Sequence, residues 1–274
     1  MTLTFKYRQE IKEGYQLTTD SLVEPEAYLV MGATGDIGNA LCRLLRAKGA
    51  QVMAAGKDQE KLEELAIETG CSHFQLDAGN FDEVDKCFEK TVEEFGRLDG
   101  AANCVGSLLL KPAHLTSQAE FNNVINTNLS SAFACVRSSG KVMRKEGGAI
   151  VLVSSAAASI GLANHEAISA AKAGIEGLML AAAASYARQK IRVNCVAPGL
   201  VQTKLTKSVT NNENSRQASL SMHPLGRLGE AADIAQAIAW LLSRENSWIT
   251  GQVLAVDGGL SKVKIAQMQL QAAR

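Results

Sequence analysis

From Ala27 onward the chain alternates short apolar runs with longer stretches of helical period, the rhythm that successive βαβ units need to build a parallel sheet. The strand candidates are Ala27 to Met31, Gln51 to Ala55, His73 to Leu76, Leu98 to Asn103, Gly148 to Ser154, Ile191 to Val196 and Gln252 to Val256. Between them, Asp58 to Thr69 turns Leu62, Leu65 and Ala66 to one side, and Asn80 to Gly96 lines up Val84, Cys87, Phe88 and Val92. Both segments carry the single apolar stripe of a helix packed on one face. An α/β fold follows, with a doubly wound, seven-stranded parallel sheet and helices on both faces.

At 274 residues one large domain is expected, spanning 27–260, with an N-terminal extension over 1–26 and a C-terminal extension over 261–274. The chain is 46% hydrophobic but only 5% aromatic, so its core is built mostly from Ala, Val, Leu and Ile. Lysines and arginines equal aspartates and glutamates, 28 each, which leaves no net field to attract nucleic acid or an anionic membrane. The six cysteines never stand in Cys-x-x-Cys spacing, which fits buried thiols in a reducing compartment rather than a metal site. No signal-like apolar stretch opens the chain, and no run approaches the ~18 residues that cross a bilayer. The expectation is a cytoplasmic protein without a membrane segment. Thr2 to Tyr7 alternates like an edge strand, and two readings stay open for it: a cover for the sheet or a neighbouring subunit, or a frayed tail.

Tyr28-Leu29-Val30-Met31 runs into Gly32-Ala33-Thr34-Gly35-Asp36-Ile37-Gly38 and then into a helical segment. Glycines between a first strand and a first helix let the backbone approach a pyrophosphate lying at the helix N-terminus, so a Rossmann-type nucleotide turn is expected here, the alternative being an ordinary strand-to-helix turn. An acid at Asp36 is unusual beside a phosphate, although a first-turn carboxylate is favourable to the helix. The second strand ends at Gly56-Lys57, with no carboxylate where NAD sites hold the ribose hydroxyls and a cation where NADP sites meet the 2′-phosphate. NADP(H) is therefore expected over NAD(H).

On these residues the chain resembles the short-chain dehydrogenase/reductase family, from residue 27 to 260, and its C-terminal third resembles the 3-oxoacyl reductase branch through His223-Pro224-Leu225-Gly226-Arg227, Ile249-Thr250-Gly251-Gln252 and Val256-Asp257-Gly258-Gly259. The family's usual turn is Thr-Gly-x-x-x-Gly-x-Gly; here Met31 replaces the threonine and Asp36 the middle glycine. The resemblance implies that Gly32, Thr34, Gly35, Asp36, Ile37 and Gly38 cradle the dinucleotide, with Lys57 at its ribose. It also implies that Asp77 and Ala78 lie at the adenine, Asn103 to Gly106 form the turn after the fourth strand, and Pro198, Gly199 and Thr203 receive the nicotinamide. By the same resemblance Asn128, in Asn126-Thr127-Asn128-Leu129, matches the family asparagine that bends the backbone and holds a relay water. The Ala-rich stretch Ser169 to Ala187 implies pairing into a homodimer or homotetramer, with a heteromer as the other possibility.

In this family a serine orients the carbonyl, a tyrosine transfers the proton, and a lysine lowers the phenol pKa and bonds the ribose. Ser155 and Lys172 keep the family spacing, but the tyrosine position is Ile168. A side chain that cannot donate leaves the developing alkoxide without its usual acid, a loss worth about 10² to 10⁴ in rate. His165 lies i−3 from Ile168 and is one candidate substitute, the other reading being a cap or part of the substrate loop. Tyr186, five turns along the same stretch, is too far. Three functions fit: a redox enzyme on a small carbonyl or activated-alkene substrate with an atypical proton donor; a non-catalytic cofactor-binding subunit of an active reductase; and a non-redox isomerase or lyase. The segment Lys204 to Met222 reads as a polar, mobile lid whose sequence does not disclose the substrate.

Overall fold

The central apolar runs become strands because they are flanked on both faces by helices. In the computed structural model, which describes residues 24–264, the strands are β1 (Ala27–Met31), β2 (Gln51–Gly56), β3 (Ser72–Gln75), β4 (Gly100–Asn103), β5 (Gly148–Val153), β6 (Ile191–Pro198) and β7 (Val253–Val256). All neighbours pair in parallel, in the order β3-β2-β1-β4-β5-β6-β7. The order reverses between β1 and β4, the switch point where doubly wound sheets open a ligand crevice. The alternating Thr2 to Tyr7 stretch and all of the C-terminal extension past Lys264 lie outside the described residues.

Strand β1 is buried at every position, and its alternation feeds two cores. Leu29 and Met31 join Phe88, Ile150 and Ile175 on one face, while Tyr28 and Val30 join Leu41, Leu62 and Ile234 on the other. A strand covered on both sides has no polar face to show, which is why it reads as a continuous apolar run. The two helices read from the sequence end within a residue of expectation: α2 (Gln59–Thr69) is capped by Asp58 and α3 (Phe81–Phe95) by Asn80. Asn80 accepts from the backbone of Asp82 and Glu83, and both helices stop at a left-handed glycine, Gly70 and Gly96. Replacing Asn80 by alanine is expected to cost about 1 kcal/mol, read as a lowered denaturant midpoint with an unchanged m-value.

The polar stretch Lys204 to Met222 holds the short helix α7 (Lys207–Thr210) and the longer α8 (Glu213–Met222), the latter capped by Asn212. One expectation is corrected: the helix Glu166–Gln189 is long and apolar enough by composition to cross a membrane, although its inner face, Ile168, Ala171, Ile175 and Met179, is buried in the fold. The ends of β4, β5 and β6, with the turn after β1, face the crevice described next.

Candidate active site

The turn after β1 is held by Gly32 and Ala33, whose amides both donate to Ala55 O (2.8 and 3.0 Å) at the end of β2. Gly32 has φ +78°, and a Cβ there would meet Cys104 backbone at 2.8 Å; a Cβ on Gly38 would meet Gly32 O at 2.2 Å. Only glycine permits both the left-handed turn and this backbone approach. The helix that follows, α1 (Asp36–Ala47), has Gly35 as its N-cap with no side chain bonding its free amides. Those donors stay available to an anion at the positive end of the helix. Asp36 turns away from them: its carboxylate accepts the Lys204 amide at 2.6 Å and ties the first turn of α1 to the start of the lid.

Across the crevice, the chain between α4 (Gln118–Ile125) and α5 (Ser131–Val142) contains a π-turn, Asn126–Ser130, that bends the helix at Asn128. Such bulges recur at functional sites because they redirect one side chain without breaking the rod. Asn128 is buried, donates to Ser107 Oγ (2.9 Å) and Val124 O (2.9 Å), and accepts the Ser107 amide (3.2 Å). Ser155 Oγ accepts the Ala157 amide at 3.2 Å, which orients its lone pairs and leaves its own proton to donate.

Helix α6 (Glu166–Tyr186) delivers Lys172. Its Nζ donates to Val153 O at 2.9 Å, one of the three hydrogens of an ammonium. Burial pushes the Lys172 pKa down to about 8, against smaller upward pulls from Cys195 and Cys104. Gly106 stands between this ammonium and Asn128: a Cβ there would lie 3.2 Å from Asn128 Oδ1 and 3.6 Å from Lys172 Nζ. The absent side chain leaves room between two polar groups. Ile168, one turn before Lys172, is 3% exposed and packs with Val124, Ala167 and Ala171 against Leu109 and Ile125. Position 168 is therefore part of an apolar wall.

Most of these groups meet in one crevice of about 530 Å³. Of the residues expected at the site, Gly35, Asp36, Ile37, Gly38, Gly106, Ser155, Lys172, Pro198, Gly199 and Thr203 line it, together with Ile168 and His165. Gly32, Thr34, Lys57, Asp77, Ala78, Asn103 and Asn128 do not line it; Asn128 reaches it only through Ser107 and the gap at Gly106. Asn103 is buried and spends its amide on Ser131 Oγ and the Val105 amide, holding the turn after β4. Lys57 pairs with Asp77 at 3.1 Å near the exposed end of β2, where Gly56 keeps the space beside Thr34 open. His165 is the residue before α6 and does not cap it with its side chain; Nδ1 lies 2.7 Å from Ala163 O. Tyr186, at the far end of α6, packs over Gly140, as its distance along the chain requires. Sequence reasoning missed Ser107, a hydroxyl in the crevice bonded to Asn128, and the apolar wall formed by Leu108, Leu162, Val209 and Met222. Serine after a turn and leucines in loops are too common to stand out before the loops are folded together.

The family model described as enoyl-(acyl carrier protein) reductase matches residues 32–261, nearly the whole domain. The chain is a short-chain dehydrogenase/reductase. It is 35% identical over 246 residues to the 3-oxoacyl-[acyl-carrier-protein] reductase of Thermotoga maritima, covering 87% of this chain and 98% of that protein. The corresponding Escherichia coli reductase is 32% identical over 247 residues, with 88% and 99% covered. Among solved structures, ElxO with NADP bound superposes at a TM-score of 0.81 and 32% identity, over 86% of this chain and 98% of the other. This dehydrogenase/reductase thus has the family's scaffold, and family members bind nicotinamide dinucleotides. The glycine cradle, the uncapped N-terminus of α1 and the under-used Lys172 donors are a donor set that fits such a group.

Proposed function

We propose that this protein is an NADP(H)-dependent oxidoreductase that interconverts a carbonyl and a hydroxyl, or reduces an activated alkene, without a proton donor at position 168. The observation that carries the reading is Lys172: a buried ammonium with one acceptor, Val153 O, among the described residues, in the same crevice as the Ser155 hydroxyl. An ion kept in a desolvated place at a cost in its own pKa is far more expensive than packing alone would justify. The bound dinucleotide supplies or accepts the hydride. Gly32 to Gly38 and the α1 amides hold its phosphates, Asp77 and Ala78 border its adenine, Asn103 to Gly106 shape the neighbouring turn, and Lys172 bonds its ribose. Pro198, Gly199 and Thr203 seat the nicotinamide, and Ser155 donates to the substrate oxygen.

With Ile168 unable to donate, the proton reaches the substrate through the gap at Gly106, where a water bonded to Lys172 and Asn128 replaces the phenol. The apolar walls, Leu108, Leu162, Val209 and Met222, suit a substrate with a hydrocarbon body beyond its reacting oxygen. A second reading, a cofactor-binding subunit that does not turn over, is favoured by the apolar packing of Ile168. In either case α6 offers an exposed stripe of small residues, Ala170, Ala173, Gly177 and Ala181, for a homodimer or homotetramer, or for a heteromeric partner. The protein is assigned to the cytoplasm, with 27–260 as one domain.

Titration with NADPH and NADH, followed by cofactor consumption with a panel of carbonyl compounds, separates the readings. Binding of NADPH with slow consumption supports the enzyme; binding with none across the panel supports the subunit. The 2′-phosphate contact is checked in the same assay. Lys57→Ala is expected to weaken NADPH about tenfold and leave NADH unchanged, the scale of a hydrogen bond to a charged group. An equal loss for both cofactors returns Lys57 to a surface charge paired with Asp77.

A further inference from the structure

The lid is fastened by a histidine that the reaction scheme leaves unused. His223 follows α8 directly and is buried at 3% exposure. Its Nε2 accepts the Leu200 amide at 3.1 Å, and its Nδ1 lies 2.6 Å from Ser219 O. A backbone amide only donates, so Nε2 carries no proton; the ring is the neutral Nδ1–H tautomer, donating to Ser219. Ser219 O belongs to the last turn of α8, whose carbonyls have no partner within the helix. Leu200 belongs to the loop Pro198 to Thr203. One ring therefore bridges the end of the lid helix and the floor of the crevice.

The fit around the loop is close. A Cβ on Gly199 would fall 2.7 Å from His223 Nε2 and 3.0 Å from Asp257 Cα, so the chain passes between the imidazole and the turn after β7. That turn is itself rigid, since Asp257 accepts the amides of Gly259 and Ser261 at 2.9 Å each. At its other end the lid is held by Asp36 on the Lys204 amide and by Thr206 Oγ1 donating to Val201 O. Between these fixings lie Val209 and Met222, which close over the crevice.

We propose that His223 is a positioning residue: by accepting from Leu200 and donating to Ser219 it sets the height of the nicotinamide-receiving loop relative to the lid. The functional part rests on the dinucleotide reading above; the fastening itself does not. Asparagine at 223 can keep the Nδ1-type donor but cannot reach Leu200, whereas glutamine can replace the Nε2-type acceptor. Losing the acceptor strands a buried amide and uncouples loop from lid.

The test is amide hydrogen exchange of the cofactor-free protein, with NADPH affinity measured beside it. His223→Asn is expected to speed exchange at Leu200 about tenfold and weaken NADPH about tenfold, and His223→Gln to restore both to near the wild-type values, the scale of one buried hydrogen bond. In the unmodified protein, ¹⁵N spectra of the His223 ring are expected to show the proton on Nδ1, a readout that needs no variant to fold. A ring protonated at Nε2, or Leu200 exchange that is equal in wild type and His223→Asn, overturns the proposal. If the wild type binds no NADPH at all, the dinucleotide reading fails while the exchange and ring spectra still decide the fastening.

Discussion

Replacing Ile168 by tyrosine is expected to raise NADPH-dependent carbonyl reduction by about 10²- to 10⁴-fold, the usual worth of a positioned general acid. Position 168 is one turn before Lys172 on α6 and lines the same crevice as Ser155, so a phenol there meets both the hydroxyl and the ammonium. The ammonium stabilises a phenolate and thereby eases proton transfer. Tyrosine is larger than isoleucine in a place packed by Val124, Ala167, Ala171 and Leu109, which costs about 1–3 kcal/mol of stability. Ile168→Phe carries the same bulk without the hydroxyl and separates the two effects. The gain should appear in the tyrosine variant alone, measured as kcat on a common ketone panel. If wild type shows no consumption at all while Ile168→Tyr becomes active, the native protein is the non-catalytic subunit rather than the enzyme.

Substituting Lys172 by methionine is expected to weaken NADPH by one to two orders of magnitude, about the value of a hydrogen bond to a charged group, and to remove turnover. The same lysine predicts two opposite pH dependences. Its folded pKa, about 8, lies below its ordinary 10.5, so the folded protein gives up this proton first. Cofactor affinity in the free enzyme should fall as pH rises through about 8, when the ammonium becomes an amine. Stability moves the other way. Below pH 8 the buried charge is present and destabilising, on the order of 3 kcal/mol, and this penalty fades as pH rises toward 10.5. The difference in unfolding free energy between wild type and Lys172→Met, followed from pH 7 to 10, isolates this contribution from the other titrating groups. A difference independent of pH would mean that the lysine is solvated.

Much of the site was legible because its parts are local. Gly32 to Gly38 act within one strand-turn-helix unit, and Ser155, Ile168 and Lys172 are recognisable by spacing along one stretch of chain. The helices inside the lid were not legible because the asparagines at 211, 212 and 214 are equally good as loop residues and as a helix cap. The fate of Asp36 was open for the same reason. Its carboxylate is directed not at the phosphate turn but at Lys204, 168 residues later, and no local pattern encodes that contact.

The order of apolar runs determined the parallel sheet, since strands buried on both faces and helices with one apolar stripe have few other ways to hide their surface. Residue identity alone puts at position 168 an isoleucine, which cannot donate a proton. Tertiary structure decided what surrounds it. Burial of Lys172 against Val153 O, the room left at Gly106 beside Asn128, and the His223 bridge from Ser219 to Leu200 each join segments distant in the chain. Desolvation and hydrogen-bond satisfaction depend on every neighbour in space, and those neighbours exist only once the chain has closed on itself.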